Sequence, residues 1–180
     1  MSMHPYQALA RLSSQCQQLT AGLPQEVETA PRWRGLGFIL LGHAFVSPIG
    51  QISEMMEVPS STRLPGVEPW VIGLSNVRGR LLPLFDFALF LGGQLEQQKR
   101  YHRVFVLETE QLFSGLLVEQ ALGMKDFDSA QFQSSTPEQL PEHVKPYVDG
   151  TYLDTDGKSW MVFDFLKLAA DQRFANASLI

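Results

Sequence analysis

From Trp33 onward the chain is a succession of short apolar runs separated by glycine, proline and polar turns. Runs of four to eight apolar residues bounded by turn signals read as strands buried on at least one face. Leu36 to Leu41 is the first, with Gly42-His43 as its turn and Ala44 to Ile49 as its return. Ile52, Glu54, Met56 and Val58 then fall on alternate positions, although Met55 breaks the alternation. Pro59 to Pro69 is rich in turn residues. Trp70 to Val77 is strand-like, Arg78-Gly79 is the turn, and Leu81 to Phe85 returns. Asp86 is placed to cap a short apolar helix, Phe87 to Leu91, which stops at Gly92-Gly93.

Beyond a polar connector, Gly93 to Arg100, the pattern is replayed. Arg103 to Leu107 and Leu112 to Val118 are strands flanking a turn. Ser129 to Glu142 is a polar, proline-containing loop with one helical turn near Glu138. Tyr147 to Leu153 and Trp160 to Phe163 flank an Asp154-Thr155-Asp156-Gly157 turn, and Asp164 caps a final helix, Phe165 to Ala170. The replay holds register. Pro69-Trp70-Val71 with Gly73 matches Pro146-Tyr147-Val148 with Gly150. After one inserted turn residue, Gly79-Arg80 matches Gly157-Lys158, and Phe85-Asp86-Phe87 matches Phe163-Asp164-Phe165. The period is the length of one small barrel of five short strands. The expected fold is therefore mainly β: two five-stranded barrel lobes related by duplication, at about 33–92 and 102–170 within a domain of 32–170. Residues 171–180 are expected to be a C-terminal tail.

Residues 1–31 differ. Pro5 to Leu23 spaces Leu9, Leu12, Cys16 and Leu19 on one helical face, and Pro24 and Pro31 then break the chain. This is expected to be a leader outside the main fold. Its polar, Gln-rich start has no apolar run suited to a signal peptide. No stretch of about 20 apolar residues occurs, so no membrane insertion is expected. The lone Cys16 cannot form an internal disulfide, and a cytoplasmic location follows as the expectation. With 14 Lys and Arg against 19 Asp and Glu, the net charge of −5 offers no nucleic-acid footprint.

Motifs for chemistry are sparse. The phosphate loop GxxxxGK[ST], the dinucleotide pattern GxGxxG and the elbow GxSxG are all missing. His4, His43, His102 and His143 show no ligand spacing, and His43 and His102 read as turn residues at strand edges. Asp154 to Gly157 lacks the first aspartate and the closing glutamate of a calcium loop, so it reads as a hairpin turn. No catalytic, cofactor or metal residues are assigned. The segment Asn76-Val77-Arg78-Gly79-Arg80 stands out, because it places two cations at a hairpin tip beside apolar strands. Arginine in such a setting commonly anchors a protein partner.

These residues carry a resemblance. Thr62-Arg63-Leu64-Pro65-Gly66-Val67 leads through Trp70-Val71-Ile72-Gly73 to Asn76-Val77-Arg78-Gly79 and on to Leu82-Pro83-Leu84-Phe85-Asp86. This is similar to the signature of the CheW family of chemotaxis adaptors, and Gly115 to Glu119 resembles the family's matching segment. The leader and Trp33-Arg34-Gly35-Leu36-Gly37-Phe38 look like the branch serving type IV pilus chemosensory systems. The resemblance implies two SH3-like barrels, no catalytic activity and no cofactor. It implies two partners, the regulatory domain of a CheA-type histidine kinase and the cytoplasmic tip of a methyl-accepting chemoreceptor. Recruitment to receptor arrays, and control of twitching motility, follow as expectations. By the same resemblance, Ile52, Glu54, Gly73, Asn76, Arg78, Gly79, Leu81 and Met124 are partner-contact positions. They are not apportioned between kinase and receptor. Gly42-His43-Ala44 and Gln120-Ala121 depart from the family pattern. An adaptor of another chemosensory pathway, and a small-molecule enzyme using the cleft between the lobes, remain as alternatives.

Overall fold

Backbone conformations fixed by a few residues set the hairpins. In the computed structural model, which describes residues 31–178 apart from Gln97, Gln111 and Gln139, β1 (Arg32–Leu40) and β2 (His43–Pro48) pair antiparallel. Their turn is Leu41-Gly42, both at positive φ, one residue earlier than the Gly42-His43 turn expected. β3 (Glu54–Met56) is short. β4 (Val71–Val77) and β5 (Arg80–Asp86) form the next hairpin. Arg78 and Gly79 have φ of 52° and 81°, the two left-handed residues of a type I′ turn, whose twist suits a tight hairpin. α1 (Phe87–Phe90) follows, its first turn capped by Asp86, which accepts from the Leu89 N–H. β6 (Arg103–Glu108), β7 (Phe113–Val118), β8 (Gln120–Asp128), β9 (Phe132–Gln133), β10 (Val148–Leu153) and β11 (Ser159–Phe163) complete the strands. α2 (Phe165–Ala169) and α3 (Gln172–Ser178) end the described chain, with Asp164 capping α2 through the Leu166 N–H. The leader lies outside the described residues.

The strands form two sheets, ordered β8-β1-β2-β11-β10-β9 and β3-β6-β7-β5-β4. Each closes on itself by bending one stretch of chain. β8 pairs with β1, and β9, just past a tight turn at Ser129–Gln131, pairs with β10. In the other sheet Glu54–Met56 pairs with β6, while Thr62, a few residues on, bridges Leu74 of β4. Closure removes the free edges that open sheets leave.

The duplication reappears in detail. β4-β5-α1 and β10-β11-α2 are both hairpins with a register shift at the same place, Val71/Gly73 and Val148/Gly150. Asp86 N–H donates to the Trp70 carbonyl and Asp164 N–H to that of Tyr147, each at 2.8 Å. β5 runs parallel to β7, as β11 does to β2. The lobes, however, do not follow the sequence halves at 33–92 and 102–170. β1 and β2 complete the barrel of β8 to β11, and β6 and β7 complete the barrel of β3 to β5. The two repeats have exchanged their first hairpins. We call the barrel of β1, β2 and β8 to β11 the first barrel, and the other the second.

Three apolar clusters result. Ala44, Val46, Phe127, Tyr152, Trp160 and Val162 fill the first barrel, and Leu82, Leu84, Val104, Val106 and Leu117 fill the second. The largest lies between them and includes Phe38, Phe45, Phe85, Phe105, Leu116 and Phe163. Each sheet is thus apolar on both faces, which is why its strands read as runs rather than as alternation.

Within the expected tail, residues 171–178 are tied to the fold. Phe174 of α3 is fully buried against Trp70, Phe85 and Phe90. Tyr147 donates to Asp171 at 2.5 Å, and Arg173 lies over the Phe90 ring. Burial opposes ionisation of Asp171, but the hydrogen bonds from Tyr147 and Arg173 outweigh it and hold the carboxyl below its ordinary value.

Candidate partner-docking face

Register decides which exposed residues share a face. Met55 of β3 stands opposite Phe105, a member of the shared core. Met124 of β8 stands opposite Leu36, which packs on that same core. Directly opposed residues point to one side of a sheet, so both methionines point to the side on which the barrels meet. Leu36 and Phe105 occupy equivalent positions in the duplication, because Leu36 pairs with Ser47 and Phe105 with Leu116 one residue past the parallel pairs Val46–Val162 and Gly115–Leu84. Met55 and Met124 are therefore counterparts. They are 46% and 52% exposed. Leu81, 65% exposed, lies on the same side as Phe85 by strand alternation. Ile52 is half-buried against the shared core.

A charged cluster is built at the β4–β5 turn on the other side of β3, where Glu54 stands opposite Val106 of the second barrel's core. Asn76 accepts from the Gly79 N–H at 2.9 Å and holds the turn closed. The Arg78 guanidinium, on a side chain 77% exposed, donates to Glu54 at 2.6 Å. Arg80 lines the same cavity as Glu54 and Arg78, where it pairs with Glu108 at 2.8 Å and stacks on Phe113 at 3.8 Å. The eight positions implied by the resemblance thus separate. Glu54, Asn76, Arg78 and Gly79 make the turn and its ion pair, Leu81 and Met124 are exposed apolar residues on the inter-barrel side, and Ile52 packs half-buried on the shared core. Gly73 is different. It is buried at φ +147°, and a Cβ there would run into the Thr62 carbonyl. Its bare Cα lets the barrel close, a structural role beside the partner contact that the resemblance implies for it. Gly150, its counterpart, is crowded in the same way by the Gln133 carbonyl.

Met55 was visible in the sequence only as a break in alternation. It breaks the pattern because it faces the partly open edge of the inter-barrel core. Another feature missed is the mouth of the second barrel, a cavity of about 740 Å³ lined by Val58, Ile72, Asp86, Leu89, Leu95 and His102 among others. Burial pushes the Asp86 carboxyl up from its ordinary value, against the opposing effects of the Leu89 N–H, His102 and the Ala88 N–H. His102 is buried there, correcting its expected place in a surface turn. The counterparts of Ile72 and Leu89 in the first barrel are Asp149 and Lys167, which form an ion pair at 2.6 Å. The second barrel's mouth combines apolar side chains with Asp86, Lys99 and His102, and the first barrel carries an ion pair where the second has Ile72 and Leu89.

A stiff double barrel with exposed apolar side chains at a two-fold-related pair of strands defines a protein-interaction module. The chain belongs to the CheW family: the CheW-like domain model matches residues 34–173. It is 37% identical to the protein PilI of Pseudomonas aeruginosa over 175 residues, 97% of each chain. It is 28% identical to the chemotaxis protein CheW of Helicobacter pylori over 96 residues, covering 52% of this chain and 58% of that one. The solved scaffolding protein TtCheW of Thermoanaerobacter tengcongensis shares the fold, with a TM-score of 0.61 at 22% identity over 76% of this chain and 92% of the other.

Proposed function

We propose that the protein is a non-catalytic adaptor that couples the cytoplasmic tip of a chemoreceptor to the regulatory domain of a CheA-type histidine kinase. We place it in the cytoplasm, recruited to membrane-associated arrays, in a system controlling type IV pilus twitching motility. The observation that carries the reading is the pair of counterpart methionines, Met55 and Met124, exposed on the side where two rigid barrels meet. Met, Leu and Arg side chains on a fixed frame suit docking of an apolar helix or strand with a carboxylate at its margin. The mouth of the second barrel, where Ile72, Leu89 and Leu95 stand beside Asp86, Lys99 and His102, is a separate surface, as an adaptor joining two partners needs. Individual contacts can be modest, because repeated arrays multiply weak affinities. The likeness to PilI supports the pilus system over a flagellar one.

Affinity capture from the native cytoplasm, with mass spectrometry, tests the reading. A large histidine kinase and a methyl-accepting receptor should be recovered together. Recovery of neither would overturn the adaptor assignment, and recovery of the flagellar kinase alone would move the protein to another chemosensory pathway.

A further inference from the structure

The chain crosses from the first barrel to the second between β2 and β3, and this crossing is fastened at both ends. The Gln51 side chain reaches the start of α2, which packs on the first barrel's repeat. Its Oε1 accepts from the Phe165 N–H at 2.8 Å, and its Nε2 donates to Asp164 Oδ1 at 2.8 Å. Two residues on, Ser53 is fixed to the second barrel. Its backbone N–H and its hydroxyl both donate to the Val106 carbonyl of β6, at 2.9 and 2.8 Å. Ile52, between them, packs into the shared core. Immediately beyond lie Glu54, partner of Arg78, and the exposed Met55.

We infer that Gln51 is a positioning residue for partner docking: with Ser53 it forms a staple between the barrels that sets where Glu54 and Met55 stand relative to Met124. Both arms of the amide are used, one as acceptor and one as donor, so the side chain is held in one orientation. A run held at two points two residues apart has little freedom to shift. Docking of a partner across both barrels then meets a prearranged surface and loses less conformational freedom. The counterpart helix start in the second barrel is fastened differently, with Asp86 accepting from Leu89 and facing His102. The staple is thus a device of one crossing and not of the repeat. The inference rests on the adaptor reading above.

The test compares full-length Gln51→Met, which keeps length and loses both hydrogen bonds, with Arg78→Ala. Titration against the purified kinase regulatory domain and a receptor-tip fragment is combined with methionine-methyl NMR. Gln51→Met should weaken binding of at least one partner about fivefold or more. The Met55 methyl signal should shift or broaden while that of the buried Met161 stays in place. Gln51→Glu gives a second route. It can still accept from Phe165 but sets a carboxylate against Asp164, so its affinity should recover as acid protonates the pair, a dependence that mere loss of folding would not produce. Native affinity in both Gln51 variants, with Arg78→Ala impaired, would overturn the staple and leave the docking face standing. Native affinity in all three would overturn both.

Discussion

Arg78 is the residue on which the docking face is most exposed to test. Its ion pair with Glu54 is largely in water, and such pairs contribute about 0–1 kcal/mol to folding. Truncating an arginine that anchors a partner costs about 2 kcal/mol or more of binding. Arg78→Ala should therefore weaken partner binding by about tenfold or more while the thermal midpoint stays nearly unchanged. Calorimetric titration beside thermal melts reads both, and unaltered binding to both partners would remove Arg78 from the site. Arg80→Ala should do less to binding, since Arg80 is engaged with Glu108 and Phe113. Asp154 makes a different prediction. It accepts from the Trp160 indole N–H and from the Asp156 and Lys158 backbone N–H groups. Led by the Trp160 bond, these hold its carboxyl below its ordinary value against the opposing effect of burial. A depressed folded pKa contributes stability above the unfolded value and loses it as pH falls through the folded one. Asp154→Asn should melt lower than the native protein at neutral pH, and the gap should narrow as acid takes the pH below the ordinary carboxylate range. A gap independent of pH would show that hairpin geometry, and not ionisation, accounts for it.

At the scale of elements, α3 is the one whose importance is hardest to see from its composition. Only Phe174 and its neighbours tie it down, yet Phe174 closes an aromatic cluster with Trp70, Phe85 and Phe90. Phe174→Ala should cost about 3–5 kcal/mol, the usual range for emptying a buried phenylalanine site. Urea unfolding would show this as a fall in midpoint with little change in slope. A loss below about 1 kcal/mol would mean that the site collapses around the smaller side chain or that the helix is dispensable. β8 shows the opposite difficulty. Its sequence, Gln120 to Asp128, is polar or small at most positions, and only Phe127 is buried. Pairing with β1, rather than any apolar run, makes it a strand.

For the whole molecule, closure of the two barrels depends on two glycines that the repeat itself marks. At Gly73 an added Cβ meets backbone, which cannot move aside as a side chain can, and the φ of +147° is strained for any other residue. Backbone strain of about 1–3 kcal/mol adds to overpacking of about 1–3 kcal/mol. Gly73→Ala should accordingly lose several kcal/mol of stability, and binding only as a consequence of that loss. Gly150→Ala, crowded by the Gln133 carbonyl, should behave alike. If Gly73→Ala folds with native stability yet fails to bind, the glycine belongs to the docking face after all. Chemical unfolding curves for both variants, read before any binding measurement, separate these outcomes.

Much of the architecture is written in local pattern. Apart from β8 and β9, which long-range pairing makes, the strands, the Arg78-Gly79 turn and the Asp86 and Asp164 caps rest on short-range effects: side-chain burial, left-handed turn residues and helix-end hydrogen bonds. Such effects act within a few residues, so one sequence reveals them. The repeat also predicted two similar barrels, and two closed sheets with matching bulges are what form. Which strands join which barrel could not be read, because exchanging the first hairpins leaves every strand's own pattern unchanged. The same limit hid Met55 as the counterpart of Met124, Gly73 as the point where Thr62 crosses, and Gln51 as a link to the start of α2. Each depends on a partner many residues away. Local physics in the sequence determined the pieces and their ends. Only long-range pairing, where one hairpin finds the other repeat's sheet, decided which faces stayed exposed and therefore where a partner can dock.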